Sequence, residues 1–341
     1  MNRKSLFFTA PGQVSVREEP LQTPGPGQVT VRTLLTAISS GTETLLYRGL
    51  FPNDLVLDDN IDALTGAVEY PLKYGYSAVG EVIDLGHGVS PEWMGRRVFA
   101  FQPHMSHFVA DLISLQVIPD GLSVEDAVFL PNMETAVNFI MDGAPTIGEQ
   151  VVVLGQGLVG LLTTALLSQH PLASLVTLDR YSLRRQASLR CGALVSLDPN
   201  DAQALETILP EPPLEGGHRG ADLVFELTGD PGALNQAISM CGFNGRVVVG
   251  SWYGKKRAEV DLGGWFHRSR MNLISSQVSS INPKYTARWD KSRRFQVAWE
   301  MLQIGKPSHL ITHTFPIQGA VEAYQLLAEN PGETIQVVFT Y

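Results

Sequence analysis

Residues 151–160 read VVVLGQGLVG, an apolar run that empties into Gly155, Gly157 and Gly160. A second apolar run, Leu175-Val176-Thr177-Leu178, follows and ends on Asp179. A lone Gly-x-Gly-x-x-Gly is weak, because glycine-rich turns are common. Placed between a strand and a helix, with an acid at the tip of the next strand, it points to a βαβ unit that binds a dinucleotide. Gly155 permits the tight turn, Gly157 lets backbone N–H groups approach a pyrophosphate, and Gly160 lets helix and strand pack closely. The segment Gly155, Gln156, Gly157, Leu158, Val159 and Gly160 is therefore expected to cradle that anion at the helix N-terminus. Asp179 is expected to accept hydrogen bonds from the adenosine ribose and to repel a 2′-phosphate, which favours NAD over NADP.

The flanking patterns divide the 341 residues into three stretches. Residues 1–125 read as short strands (5–8, 14–16, 29–34, 79–85 and 97–101) punctuated by glycine and proline, a β-rich domain. Residues 126–277 change period. Ser123-Val124-Glu125-Asp126 suits a helix start and leads into an apolar-periodic run from Met133 to Met141. Strands at 151–154, 175–179, 194–197, 222–227, 246–251 and 272–275 then alternate with helices at 158–169, 182–191, 201–208, 231–241 and 262–268. That alternation predicts an α/β fold with a doubly wound parallel sheet and right-handed crossovers. Residues 278–341 carry helices at 292–304 and 317–329 and a last strand ending at Tyr341.

Composition narrows the function. A net charge of −9, from 34 acids against 25 Lys and Arg, disfavours nucleic acid and anionic membranes as partners. Lys255-Lys256-Arg257 and Arg293-Arg294 are short and read as solvated faces. Two cysteines, Cys191 and Cys241, are too few for a disulfide framework or a four-thiolate zinc site, and read as buried thiols. Residues 1–4 followed by a short Leu-Phe-Phe do not resemble a signal peptide, and the apolar runs are shorter than a membrane span. A cytoplasmic enzyme with a small-molecule substrate is expected.

Further landmarks stand in order: Pro24-Gly25-Pro26-Gly27-Gln28-Val29, the segment from Gly75 to Gly80, Gly229-Asp230-Pro231, Leu310-Ile311-Thr312-His313, and Ala323-Tyr324. Together with the glycine triplet they resemble the medium-chain dehydrogenase/reductase superfamily across nearly the whole chain. The resemblance implies a GroES-like catalytic domain, a Rossmann domain, and a C-terminal tail that returns to the first. It implies an NAD(P)-dependent, alcohol dehydrogenase-like oxidoreductase, and dimers or tetramers formed through the edge of the Rossmann sheet. It also implies that Thr135 lies against nicotinamide, Arg184 near the adenosine ribose, and Thr228 at the ribose linkage. Arg180 either stacks on adenine or helps to hold a 2′-phosphate.

The departures from that family matter as much. Where zinc alcohol dehydrogenases carry Cys and His ligands, this chain has Ser40, in Ser40-Gly41-Thr42-Glu43, and Tyr76, in Gly75-Tyr76-Ser77. Glu134 sits about three residues late for a third ligand, and the structural-zinc lobe is missing. Zinc prefers thiolate and imidazole, so a zinc-independent site is expected. His104 and His107 form an H-x-x-H pair in a loop entering a strand, where the rings need not converge; His104 is either substrate-facing or structural. Without a metal, hydrogen-bond donors must stabilise the charge that develops on the substrate oxygen. Thr42, at the family's relay-hydroxyl position, is the first candidate. Tyr76 is either a phenolic donor or a filler of the space a metal would take. Glu43 is expected to orient its neighbours, and Tyr47 either lines the cleft or packs.

An insertion between Gly49 and Tyr70, with Asp54, Asp58, Asp59, Asp62 and Glu69, is either a lid or a surface excursion. The local similarity of Ser40-Gly41-Thr42-Glu43, Tyr70-Pro71-Leu72 and Gly75-Tyr76 to the bacteriochlorophyllide hydroxyethyl dehydrogenase branch implies oxidation of a secondary alcohol. The alternatives are an enone or quinone reductase, and a dinucleotide-binding scaffold without turnover.

Overall fold

The computed structural model describes residues 2–52, 56–57, 61–208 and 220–341. The chain divides into two compact units, Met1–Pro131 with Leu302–Tyr341, and Asn132–Met301.

The first unit opens with an antiparallel hairpin, β1 (Asn2–Ala10) and β2 (Gln13–Pro20). Its sheet is built around β3 (Gln28–Ala37), which pairs antiparallel with β4 (Ala78–Leu85). Beyond β4 lie β5 (Arg97–Ala100), β6 (His107–Asp111) and β7 (Leu115–Val117). β5 extends the sheet from β4, β7 continues it, and β6 pairs with β3. The helix Ser40–Tyr47 follows β3 directly and buries Glu43, Leu45, Leu46 and Tyr47. Within the insertion, Leu64 is buried in the core, Glu69 is exposed, and the Tyr70 hydroxyl donates to the Leu46 carbonyl at 2.5 Å. Asp54, Asp58 and Asp59 of this insertion lie outside the described residues.

Among its described residues the second unit holds six parallel strands: β8 (Gln150–Leu154), β9 (Ser174–Leu178), β10 (Val195–Leu197), β11 (Ala221–Glu226), β12 (Cys241–Val249) and β13 (Asn272–Ser275). Their order is β10-β9-β8-β11-β12-β13, the doubly wound arrangement expected from the sequence. Val151, Val152 and Val153 are all inaccessible, as befits a strand covered on both faces. The crossover after β8 is the helix Leu158–Leu167, and those after β9 and β11 are Ser182–Arg190 and Ala233–Met240. The helix expected at 262–268 shrinks to one turn, Trp265–Arg268.

The chain then returns to the first unit as β14 (Ile311–Pro316) and β15 (Gln336–Thr340). β15 pairs antiparallel with β3, Val338 facing Ala37. Between them the helix Ala320–Glu329 buries Ala323, Tyr324 and Leu327 in a cluster with Leu6, Phe8 and Leu46.

Three local expectations change. Ser123 does cap a helix, accepting from the Asp126 N–H at 3.0 Å, but that helix is short (Val124–Ala127). A second, Leu130–Gly143, begins with Pro131 in its first turn, where a missing N–H does no harm. The domain limits expected at 126 and 278 fall at 132 and 302, because residues 276–294 are bonded to the helix Leu130–Gly143. Asp142 accepts from Ser276 at 2.6 Å and from Asn282 at 2.9 Å, and the Tyr285 hydroxyl donates to the Met141 carbonyl at 2.7 Å. Arg294 is no solvated residue but fully buried, donating to Glu134 at 2.8 and 3.1 Å and to Asn138 at 2.7 Å.

Burial pushes the Glu134 carboxyl pKa up, and the Arg294 charge opposes that shift. Removing the guanidinium alone strands the carboxylate. Arg294→Met is expected to lose about 3–5 kcal/mol of stability, and adding Glu134→Leu is expected to restore much of it. Chemical denaturation of both variants checks this; equal losses would contradict the pairing.

Candidate active site

In the first unit a chain of polar side chains runs through the core behind the helix Ser40–Tyr47. Glu43 and His104 are wholly inaccessible, as is Thr36, and Tyr324 is 1% exposed. Glu43 Oε1 accepts from the Ser39 N–H at 2.7 Å. Its Oε2 accepts from the Tyr324 hydroxyl and lies 3.0 Å from His104 Nε2. His104 Nδ1 is 2.7 Å from the Thr36 hydroxyl, which is 2.9 Å from the Tyr341 hydroxyl. A carboxylate only accepts, so Nε2 carries a proton and donates to Glu43. Burial, then the charge of Glu43, hold the Tyr324 phenol far above its ordinary pKa, so it stays a donor.

Local sequence makes room for this chain. Gly75 has φ +121, and a Cβ there would lie 2.9 Å from the His104 ring. The ring also packs edge-on against Phe339 at 5.2 Å. His104 was a candidate for facing substrate; it does not, because it has no exposed surface and both nitrogens are engaged. His107 opens β6 with its Nδ1 3.0 Å from Ser106, so the two imidazoles serve different partners. Tyr47 packs, stacked on Tyr324 at 5.5 Å.

The half-exposed groups at the end of this chain are hydroxyls. Ser39 Oγ and the Tyr76 hydroxyl share a hydrogen bond, and Tyr76 packs edge-on against Tyr74 at 6.2 Å. Thr42 is half-buried in the first turn of its helix, and its hydroxyl makes no hydrogen bond among the described residues. These residues do not suit zinc. Ser40 and Tyr76 offer a hydroxyl and a phenol, the phenol is bonded to Ser39, and Glu134 is committed to Arg294.

In the second unit the glycine triplet is arranged as its spacing predicts. Gly155 has φ +87, and a Cβ there would lie 2.6 Å from the Leu227 carbonyl; one on Gly160 would lie 2.0 Å from the Gly155 carbonyl. A Cβ on Gly157 would meet only Arg184 Nη1, at 3.9 Å, so this glycine faces open space. Gly157 caps the helix Leu158–Leu167, whose first backbone bond runs from Leu161 N–H to the Gly157 carbonyl at 2.9 Å. The N–H groups of Leu158, Val159 and Gly160 precede that bond and remain for an anion. This cradle fits a dinucleotide pyrophosphate.

One expectation in this half needs correction. Gln156 is inaccessible: its side chain accepts from Thr164 at 3.0 Å and donates to the Gly155 carbonyl at 3.2 Å. Its N–H donates to Asp179 Oδ2 at 2.8 Å, so Gln156 braces the loop instead of contacting the anion. Asp179 is not an open carboxylate. It is 7% exposed, and Oδ1 accepts from the Tyr181 N–H at 2.8 Å. Each oxygen keeps one acceptor direction for a ribose hydroxyl. Arg184 Nη1 stands 4.0 Å from Oδ2, and burial lowers its pKa. The guanidiniums of Arg184 and the exposed Arg180 lie 5.0 and 5.4 Å from the centre of the Tyr181 ring. Thr228 is exposed and its hydroxyl donates to Glu226, while Thr135 is half-buried on the helix Leu130–Gly143.

Sequence reasoning missed Ser39, Thr36, Tyr324 and Tyr341 in the first unit, and Glu226 and Tyr253 in the second. Several of their partners lie far away in the chain; Tyr324 and Glu43 are 281 positions apart. The only local signal was a carboxylate at the end of an apolar strand, Val224-Phe225-Glu226, where burial demands donors.

No family model matches the chain. Among curated proteins it is similar to D-guloside 3-dehydrogenase of Escherichia coli (strain K12), 24% identical over 361 aligned residues, covering 99% of this chain and 100% of the relative. It is also similar to sorbitol dehydrogenase of Halalkalibacterium halodurans, 22% identical over 363 aligned residues and 96% of each chain. Among solved structures, a short chain alcohol dehydrogenase (rspB) from E. coli CFT073 complexed with NADH superposes with a TM-score of 0.78 at 21% identity, covering 100% of this chain and 99% of that one. A putative zinc-binding dehydrogenase from Sinorhizobium meliloti 1021 bound to NADP gives a TM-score of 0.78 at 19% identity, covering 100% of both. With the β-rich unit and the parallel sheet, these likenesses give the chain the fold of the medium-chain dehydrogenases and make it similar over nearly its whole length to alcohol dehydrogenase-like oxidoreductases.

Proposed function

We propose that this enzyme transfers hydride between NAD(H) and a secondary alcohol or its ketone, and does so without zinc. The observation that carries this reading is the Ser39–Tyr76 hydroxyl pair, braced from behind by Glu43. A hydroxyl can donate as well as accept, so this pair and the Thr42 hydroxyl are the donors assigned to a ketone oxygen as it gains charge. In the oxidising direction the same oxygens accept the proton of the alcohol. Bound NAD(H) accepts or supplies the hydride.

Glu43 and His104 touch neither reactant. They position Ser39: its N–H is tied to a carboxylate that His104 and Tyr324 hold in place, so its hydroxyl has a fixed origin. The names of the relatives, a guloside 3-dehydrogenase and a sorbitol dehydrogenase among them, support a small hydroxylated substrate. The Asp179 charge beside the ribose supports NAD, while Arg180 and Arg184 temper that preference. A cytoplasmic location and a homodimer or homotetramer belong to the same proposal. The oligomer is supported by β13, one of the two edge strands of the parallel sheet, with Asn272 and Leu273 exposed.

Turnover of ketones with NADH, compared with a panel of enones, tests the reaction class; activity on enones alone would favour a double-bond reductase. Tyr76→Phe is expected to lower kcat by about 100-fold, the scale of losing one oxyanion donor. Unchanged turnover in that variant would remove the hydroxyl pair from the chemistry. Elemental analysis of the active protein is expected to find zinc far below one per chain, and chelator treatment is expected to leave the rate unchanged. Stoichiometric zinc lost together with activity would contradict the proposal. Asp179→Asn is expected to shift the ratio of NADH to NADPH affinity toward NADPH by about tenfold, as like-charge repulsion is relieved. An unmoved ratio in binding titrations would show that this carboxylate does not select the cofactor.

A further inference from the structure

Glu226 is the last residue of β11 and stands in register with Leu154, the last residue of β8. From β8 the sheet runs outward through β9 to β10, and from β11 it runs the other way through β12 to β13. The β8–β11 pair is therefore the point where strand order reverses, and ligands of such sheets bind beyond the carboxyl ends of the strands there. Glu226 is fully inaccessible at this point. Its Oε1 accepts from the Thr228 N–H at 2.8 Å and from the Thr228 hydroxyl. Its Oε2 accepts from the Tyr253 hydroxyl at 2.5 Å.

Among the described residues Glu226 makes no ion pair, so neutral donors alone compensate it. Tyr253 stays protonated, because burial and the neighbouring carboxylate both raise its pKa. The loop that follows Glu226 lies against the glycine turn; a Cβ on Gly155 would fall 2.8 Å from Thr228 Cα.

A charge at this position acts differently on the two forms of the cofactor. The nicotinamide ring is positive when oxidised and neutral when reduced. We infer that Glu226 and Tyr253 form a redox-biasing pair. The buried carboxylate strengthens binding of the oxidised dinucleotide relative to the reduced one, and the Tyr253 hydroxyl limits how far that charge is felt. Contact with the ring is not required, because an incompletely screened charge acts over roughly a nanometre in a partly desolvated site. The inference rests on the dinucleotide-binding reading of the second unit and adds a role for two residues outside the glycine cradle.

Separate binding titrations with NAD+ and NADH, on wild type, Glu226→Gln and Tyr253→Phe, test it without recourse to turnover. In Glu226→Gln the ratio of the NAD+ to the NADH dissociation constant is expected to rise about five-fold or more. In Tyr253→Phe, where the carboxylate loses a donor, the ratio is expected to fall. Structural damage alone would weaken both forms by a common factor, and an unchanged ratio in either variant overturns the inference. If Glu226→Gln does not fold, Tyr253→Phe decides alone: a ratio that stays or rises overturns it. Wild type that takes up neither form would remove the dinucleotide reading and this inference with it. Normal uptake with a fixed ratio would sink only the inference.

Discussion

A carboxylate sealed inside a protein must find its donors on the chain itself, and Glu43 draws them from the cap of its own helix and from two distant segments. The Ser39 N–H comes from the turn after β3, the imidazole of His104 from the loop before β6, and the Tyr324 phenol from the returning C-terminal helix. Leaving any donor out would strand a buried charge. The network therefore fixes where the loop and the helix can sit around the end of β3. One end of it reaches the half-exposed Ser39, whose hydroxyl meets Tyr76, and the other reaches the exposed Tyr341 through Thr36. The structural demand of a buried charge and the placement of the candidate donor pair are the same arrangement.

The second unit solves a related problem with backbone. Gly155 and Gly160 lack side chains because carbonyl oxygens occupy the places where Cβ atoms would go, and Gly157 lacks one in front of open space. The carboxylates of this unit then divide the work. Asp179 anchors the glycine turn through the Gln156 N–H, and Glu226 anchors the facing loop through Thr228. Both stand at carboxyl ends of parallel strands, where the sheet leaves its ligand crevice.

Much of the architecture was legible in the residues, because periodicity and glycine spacing report backbone requirements directly. The strands and crossovers of the parallel sheet and the turn at Gly155 follow from such local signals, whereas the return of the tail to the first unit came only from the family resemblance. What stayed hidden depends on contacts remote in sequence. Nothing near Arg294 announces that Glu134 and Asn138 will enclose it, so a basic pair read as a solvated face. Nothing near His104 announces Thr36, Glu43 and the bare Cα of Gly75, so an enclosed imidazole read as a candidate for substrate. Ser39 and Ser40 are indistinguishable by composition; the Glu43 carboxylate and the Tyr76 phenol single out the first. The absence of zinc-type ligands at Ser40 and Tyr76 was plain from residue identity alone, and the structure adds what the phenol does instead.

The most direct measurement is the infrared carbonyl stretch of a turned-over ketone held in a ternary complex with NAD+. If hydroxyls polarise that oxygen, the band lies below its position in water and moves back up when both Ser39→Ala and Tyr76→Phe are introduced. A band that stays at the same lowered frequency in the double variant would show that some other group polarises the carbonyl, and the hydroxyl pair would lose its place in the chemistry.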